Sequence, residues 1–187
     1  MSGPLAWSTA PSGRPPGDGA PHDGENQDPL RWELLTSATA GAHTGALTRF
    51  RCTRPGALEY ARQVERFIRL TPVKDGDGLL LAYFGPELAA VAWWTTGEDC
   101  YTKLLAYGVH PAYRNRRRTA HELLSRVIGH RRQVAENARP QCPGFLIHGL
   151  VHPNNASSFA ALEAAQFRRA EDPENSEFIE MQYNAQL

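Results

Sequence analysis

Apolar residues recur along the chain with two different spacings, and the change between them marks a change of secondary structure. Over residues 57–70 they fall on one helical face, with charged residues opposite, which predicts an amphipathic helix. Near-continuous apolar runs follow at 79–84, 88–95 and 102–109. Because buried strands have this pattern, we predict three strands of a sheet that is covered on both faces.

The second half of the chain alternates between the two patterns. Helical spacing predicts a helix over 117–135 and another that begins at Asn154 or Asn155 and ends near Ala165. Apolar runs predict strands at 144–151 and 177–183. A helix, an antiparallel meander and then alternating strands and helices are typical of an α/β domain with a right-handed crossover.

The first 29 residues have a different composition from the rest. Residues 1–29 are rich in proline and glycine and lack apolar periodicity, so we expect a disordered tail. We expect residues 30–187 to form one domain, with short strand-like segments at Arg31–Ser37 and Leu47–Thr53.

Charge and cysteine content narrow the class of protein. The 20 basic and 20 acidic residues give a formal net charge of zero, which indicates neither a nucleic acid nor a membrane as partner. The cysteines are Cys52, Cys100 and Cys142, an odd number without a Cys-x-x-Cys pair. We therefore expect no disulfide and no zinc site, and a cytoplasmic location. No apolar run is long enough to span a membrane.

The most informative stretch joins a strand to a helix through a polar loop. The strand ends at Val109, a loop follows from Tyr113 to Arg118, and an amphipathic helix begins directly after it. A helix N-terminus presents unpaired main-chain N–H groups, and its dipole favours negative charge. Four arginines add positive charge for phosphate oxygens, so this pattern predicts a pyrophosphate site. They are Arg114, Arg116, Arg117 and Arg118.

This stretch resembles the acetyl-CoA pyrophosphate signature of the GNAT acetyltransferase superfamily, whose pattern is Gln/Arg-x-x-Gly-x-Gly/Ala. Arg114 matches the first position, whereas Arg117 and Thr119 occupy the two glycine positions. Since glycine allows the closest approach to phosphate, these replacements leave open whether the loop still binds coenzyme A tightly. Downstream, Asn155 and Phe167 resemble the family's later strand-to-helix segment.

The resemblance implies a GNAT-like fold of the α/β (α+β) class. Its central sheet would be mixed but mostly antiparallel, with six to seven strands, flanked by helices and splayed at the acyl-CoA site. It also implies acetyl-CoA as co-substrate and no metal. The implied cofactor-binding residues are Gly108, Val109, Arg114, Asn115, Arg116, Arg117, Arg118, Thr119, Ala120, Asn155 and Phe159.

The groups that would move protons are less clear. In the family the later helix often carries a tyrosine that protonates the leaving thiolate, but Leu162 occupies that position, and leucine has no proton to donate. Histidine and the polar residues near the predicted cleft remain as candidates. They are Tyr107, His110, Glu98 and Tyr183, with His148 and His152 flanking the opposite strand.

We therefore predict an acyl-CoA N-acyltransferase that moves an acetyl group from acetyl-CoA to a primary amine of a small molecule, peptide or protein. One alternative is a GNAT-like binding or regulatory module that no longer catalyses, since the glycines and the tyrosine are replaced. Another is a toxin-type enzyme that acetylates aminoacyl-tRNA, because residues 50–69 are faintly similar to such toxins and residues 114–118 and 131–132 are basic. The acceptor and a homodimeric state are left open.

Overall fold

A computed structural model describes residues 30–97, 100–114, 119–138, 141–170 and 177–187. The predicted tail at 1–29 lies outside these ranges. Within them, no helix has both the length and the apolar character needed to cross a membrane. The helices and strands, in chain order, are β1 (Arg31–Thr36), α1 (Ser37–Ala40), a 3-10 turn (Gly41–His43), α2 (Thr44–Arg49), α3 (Glu59–Leu70), β2 (Asp77–Phe84), β3 (Glu87–Thr96), β4 (Tyr101–Val109), a second 3-10 turn (Pro111–Tyr113), α4 (Thr119–Asn137), β5 (Gly144–Val151), α5 (Ala156–Ala164), β6 (Arg168–Arg169) and β7 (Ile179–Gln186).

The strands form one sheet in the order β1-β2-β3-β4-β5-β7-β6. Every neighbouring pair is antiparallel except β4 and β5, which run parallel through the crossover helix α4. This seven-stranded, mostly antiparallel sheet with flanking helices confirms the predicted fold class.

Each face of the sheet has its own apolar core. One core lies between the sheet and α4 and α5, and the other lies under α1, α2 and α3. Trp93 and Trp94, adjacent on β3, are both buried and point into different cores, as the alternation of side chains along a strand requires. Trp94 packs over Gly78, where an added methyl group would lie only 2.4 Å from the indole ring.

The two parallel strands separate part-way along their length. They pair from Tyr101 opposite Leu146 to Leu104 opposite Gly149, and none of their described residues pair beyond that point. On its other side β4 has a bulge, because Trp93 pairs with Ala106 and the next β3 residue pairs with Leu104. Such a bulge bends a strand and increases its twist, and it lies directly after the last pair between β4 and β5.

The predicted strand at Leu47–Thr53 is wrong. Its first part belongs to α2, and Leu47 in that helix and Phe50 directly after it are both buried in the core under the helices. The remainder is extended, but it pairs with the carboxylate of Glu65 and not with a strand. Helix α1 and the two-residue strand β6 were not predicted from the sequence.

A disulfide joins Cys100 and Cys142, whose Cα atoms are 5.9 Å apart, so the expectation of no disulfide is also wrong. Cys100 directly precedes β4 and Cys142 lies two residues before β5. Because these strands run parallel, their starting ends lie side by side and bring together two cysteines that are 42 residues apart. The link stands at the paired end of the two strands, opposite the end where they separate.

Candidate active site

A cleft opens where β4 and β5 separate, and it encloses about 310 Å³. Its walls come from the two strands, from α3 on one face of the sheet and from α5 on the other. The lining is mostly apolar, with a few polar groups, as is common for small-molecule sites. The lining residues are Tyr60, Gln63, Val64, Phe67, Leu104, Leu105, Ala106, Tyr107, Gly149, Leu150, Val151, His152, Asn155, Ser158, Leu162 and Phe178.

Gly149 lies at the point of separation. A methyl group added to Gly149 would lie 3.4 Å from both Cβ and the carbonyl oxygen of Leu104, at the edge of ordinary van der Waals contact. A larger side chain at this position would press on the last paired residue of β4. Beyond them, the main-chain groups of β4 that face β5 have no strand partner among the described residues.

Both arms of the cleft end in the same tripeptide, Val-His-Pro. Nδ1 of His110 accepts a hydrogen bond from the main-chain N–H of Ala112 at 3.3 Å, and Nδ1 of His152 accepts one from that of Asn154 at 3.2 Å. Only His152 lines the cleft; the predicted candidate His110 lines a separate cavity that also includes Phe50.

Tyr107 lines the cleft and is, with His152, one of the two described acid and base candidates that do so. Its hydroxyl donates a hydrogen bond to the carbonyl oxygen of Ser158 on α5, at 3.0 Å. Burial raises the pKa of Tyr107 to about 12, although the bond to Ser158 opposes this. The phenol therefore remains protonated at neutral pH and acts as a hydrogen-bond donor.

Helix α5 contributes Asn155 and Leu162 to the cleft wall. Asn155 caps the helix, because its Oδ1 accepts hydrogen bonds from the N–H of Ser158 at 3.2 Å and from the hydroxyl of Ser157 at 3.0 Å. Leu162 is buried and apolar, so the position of the family's usual proton donor supplies none here. Ser158, bonded to Tyr107, lies one helical turn before Leu162.

Arg114 forms hydrogen bonds with protein carbonyl groups. Its Nε donates to the carbonyl of Val109 at 3.2 Å, and its Nη2 donates to that of Cys52. The Cys52 segment is fixed in turn by Glu65, whose Oε2 accepts from the N–H groups of Cys52 and Thr53 at 2.8 and 2.9 Å. This network ties α3 to the end of β4 and engages Nε and Nη2 of Arg114 with protein carbonyl groups.

Gly108, near the end of β4, packs directly against Cys52. A methyl group there would lie 2.9 Å from both Cβ and Sγ of Cys52. The Cys52 thiol is not poised for chemistry, because burial, with a contribution from Glu65, raises its pKa to about 12.

The other predicted site residues are spread over several places. Val109, Thr119 and Phe159 are buried, and the Thr119 hydroxyl donates to the carbonyl of Tyr113 at 3.3 Å. Ala120 follows in the first turn of α4. The residues that lie outside the described ranges are Glu98, Asn115, Arg116, Arg117 and Arg118.

Tyr183, the predicted replacement for the missing acid, lies away from the cleft. Its hydroxyl accepts a hydrogen bond from Arg132 at 3.3 Å, and it lines a groove beside β6. Arg131, one of the basic residues considered for RNA, is buried, with 7% of its surface exposed.

Known structures share this fold. No protein-family model matches the sequence, and no curated protein matches it either. By structure, the chain is similar to the PaiA N-acetyltransferase from Thermoplasma acidophilum in complex with coenzyme A, with a TM-score of 0.56 and 12% identity over 83% of this chain and 99% of that one. It is also similar to Escherichia coli ElaA, with a TM-score of 0.57 and 16% identity over 82% and 98% of the two chains.

The chain has the GNAT acetyltransferase fold. A third similar structure is the ribosomal-protein-S18-alanine N-acetyltransferase from Escherichia coli, with a TM-score of 0.54 and 15% identity over 84% of this chain and 95% of that one. The resemblance drawn from the polar loop is thus confirmed for the fold, at identities too low to transfer a substrate.

The α3 side of the cleft was missed by sequence reasoning. Val64 and Phe67 were predicted only as the apolar face of a helix, and both line the cleft. Tyr60 and Phe178 line it too, although they are separated by more than half of the chain. The aromatic and apolar character of these residues was visible, but nothing local to them indicated that they face one site.

Proposed function

We propose that this protein is an acyl-CoA N-acyltransferase that moves an acetyl group from acetyl-CoA to a primary amine. The observation that carries the proposal is the cleft between β4 and β5, where two parallel strands stop pairing and leave main-chain groups available. Its support is the shared fold of a protein that was crystallised with coenzyme A.

The cleft suits an extended arm that carries amide groups. Main-chain N–H and C=O groups of β4 that have no strand partner among the described residues can bond to the amides of pantetheine, and an N–H near Val109 can polarise the thioester carbonyl. For the pyrophosphate we propose the main-chain amides at the start of α4. The side chain of Arg114 already bonds to two carbonyls, so its contribution there is the shape of the turn.

The reaction requires the acceptor ammonium to lose a proton. The free amine then attacks the thioester carbonyl carbon, its nitrogen forms a bond to that carbon, and collapse of the tetrahedral intermediate breaks the C–S bond. The amine nitrogen loses its second proton, and the departing thiolate gains one. The products are an acetylated amine and free coenzyme A.

We propose that Tyr107 assists this reaction as a hydrogen-bond donor. With a pKa of about 12, full proton transfer from its phenol to a thiolate, whose own pKa is about 8.5, is unfavourable. The proton that the amine releases on forming the amide is the better source for the thiolate. We therefore expect Tyr107→Phe to lower turnover but not to abolish it.

The test is acetyl-CoA binding by titration calorimetry, with two matched serine variants. Ser158 lines the cleft and its neighbour Ser157 does not, so Ser158→Phe should abolish binding and Ser157→Phe should not. Release of free thiol in the presence of primary amines then tests catalysis. Absence of binding to the wild-type protein at millimolar acetyl-CoA would refute the proposal.

A binding or regulatory module is the second candidate, and Leu162 favours it. Such a module would bind acetyl-CoA but release no thiol with any amine tested. The tRNA-acetylating alternative needs exposed arginines that can bind RNA phosphate. Among the described residues Arg131 is buried, and Arg114 already bonds to two carbonyl groups. Growth arrest on induction would support that alternative.

We propose a cytoplasmic location, where acetyl-CoA is available to such an enzyme. In a reducing compartment a disulfide is usually transient or responsive to redox conditions. The Cys100–Cys142 link would then be formed in only part of the population. Mass measurement of alkylated protein from rapidly quenched cells would give the oxidised fraction.

A further inference from the structure

His152 has one ring nitrogen engaged and one available. Nδ1 accepts the hydrogen bond from the main-chain N–H of Asn154, so it carries a lone pair and not a proton. A neutral imidazole has one proton, which must then be on Nε2. Nε2 has no hydrogen-bond partner among the described residues, and His152 lines the cleft. The cleft therefore contains a histidine N–H donor whose tautomer is set by the backbone.

The ring of His152 is also held in place. The Tyr60 ring stacks on it, with centroids 4.6 Å apart and planes inclined by 13°, and the Phe178 ring meets it edge-on at 6.1 Å. The Tyr60 hydroxyl donates to the carbonyl of Asn154 at 3.0 Å, which anchors α3 to the turn that orients the histidine. A donor fixed in this way can recognise a ligand oxygen at little entropic cost.

This arrangement is unsuited to a general base. Accepting a proton would place N–H on Nδ1, directly against the N–H of Asn154, and would lose the bond that holds the ring. The matching histidine at the end of β4, His110, makes the equivalent bond outside the cleft, so the turn bond alone does not place a histidine in the site. What distinguishes His152 is its place in the cleft wall.

The cleft wall around His152 is mostly apolar on the α3 side, where Gln63 is a polar exception. Phe67, Leu105, Leu150 and Phe178 line it there, and Leu150 has 41% of its surface exposed although it is apolar. An apolar group on the ligand would cover this surface and gain from its burial.

We propose that His152 donates its Nε2–H to a carbonyl oxygen of the acceptor, and that the acceptor is a primary amine with a carbonyl beside it and an apolar side chain. This class includes amino-acid amides and the first residue of a peptide. The inference rests on the proposed function, since it assigns the acceptor half of the same cleft.

Two probe amines separate the carbonyl from the rest of the acceptor. L-phenylalaninamide carries the carbonyl, and 2-phenylethylamine has the same ring and a primary amine without it. Because the carbonyl lowers the pKa of the neighbouring amine, kcat/KM is calculated for the free-amine form of each probe. With acetyl-CoA, thiol release should give a kcat/KM at least tenfold higher for L-phenylalaninamide, the size of effect expected from one well-placed hydrogen bond. His152→Phe keeps a ring to stack on Tyr60 and should reduce this preference to about twofold or less.

His110→Phe is the matched control, because it removes the same turn bond at the end of the other arm. It should leave the preference unchanged, and calorimetry should show that both variants still bind acetyl-CoA as the wild type does. Equal kcat/KM for the two amines in the wild type, or an unchanged preference in His152→Phe, would overturn the inference while leaving the acyltransferase proposal intact. Turnover of neither amine by a protein that binds acetyl-CoA would overturn it too.

If the protein does not use acetyl-CoA, a measurement that needs no turnover can still test the role of His152. In protein labelled with ¹⁵N-histidine, the neutral His152 ring should show its proton on Nε2, and L-phenylalaninamide should shift that resonance more than 2-phenylethylamine does. A proton on Nδ1, or equal shifts with both amines, would contradict the assignment. If His152→Phe fails to fold, as a thermal melt would show, His152→Gln replaces it in the kinetic comparison.

Discussion

Replacing Glu65, which is buried although it is charged, should destabilise the protein. Its Oε2 accepts three hydrogen bonds, from the N–H groups of Cys52 and Thr53 and from the Thr53 hydroxyl, at 2.8–2.9 Å. Bonds to a charged group contribute about 1.5–3 kcal/mol each, but these act as one unit, so Glu65→Ala should cost about 3 kcal/mol. For a domain of this size the melting temperature should fall by roughly 6–12 °C.

The same carboxylate should make stability depend on pH. Burial alone would raise the pKa of Glu65, but the Thr53 hydroxyl and the N–H groups of Cys52 and Thr53, helped by Arg51, hold it below its ordinary value of 4.5. The stabilisation is therefore complete above the unfolded-state pKa of about 4.5 and is lost as pH falls through the lower folded-state pKa. The difference in unfolding free energy between wild type and Glu65→Gln should shrink below about pH 4.5.

Urea denaturation from pH 7 to pH 3 measures both effects. Glu59→Gln is the control, because Glu59 lies on the same helix but is half exposed, and its pairs with Arg62 and Arg66 are on the surface. That variant should change stability by no more than about 1 kcal/mol. If the unfolding free energy of Glu65→Ala lies within about 0.5 kcal/mol of the wild-type value, the Glu65 carboxylate does not hold the Cys52–Thr53 segment in place.

Three further outcomes follow from the packing and the disulfide. Gly108→Ala should destabilise the protein by about 1–3 kcal/mol in urea denaturation because its methyl group would overlap a buried cysteine, whereas Gly129→Ala, with open space around it on α4, should stabilise it by about 0.5–1 kcal/mol. Removing the disulfide in a Cys100→Ser, Cys142→Ser double variant should lower stability by about 2–4 kcal/mol, and a reductant should then affect only the wild type. Gly149→Val should reduce the free energy of acetyl-CoA binding, measured by calorimetry, by more than it reduces the free energy of unfolding. A larger loss of unfolding free energy would show that this glycine serves the stability of the sheet and not the cleft.

The spacing of apolar residues predicted the long strands correctly but not the short segment at 47–53. The strands at residues 79–84, 88–95 and 102–109 were predicted within two residues of their observed bounds, because long apolar runs report burial directly. The prediction for residues 47–53 failed because the apolar positions of so short a stretch fit both the helical and the strand period. Its true partner is a single carboxylate thirteen residues away from Cys52.

The site was predicted only where it is local in sequence. Tyr107 and Asn155 were found because each stands at a recognisable point of a strand or a helix. Tyr60 and His152 touch through their rings but lie 92 positions apart, and no spacing rule connects them. The disulfide escaped for the same reason, since only the parallel pairing of β4 and β5 brings its cysteines together.

The cleft itself follows from two local departures from regular sheet structure. A bulge at Leu105 bends β4 directly after its last pair with β5, and that last pair has a glycine, Gly149, on its β5 side. The disulfide at the other end opposes any loss of the pairing that remains. If the cleft is the site of acyl transfer, β4, β5 and the Cys100–Cys142 disulfide set its width. The side chains of α3 and α5 then determine which ligands fit.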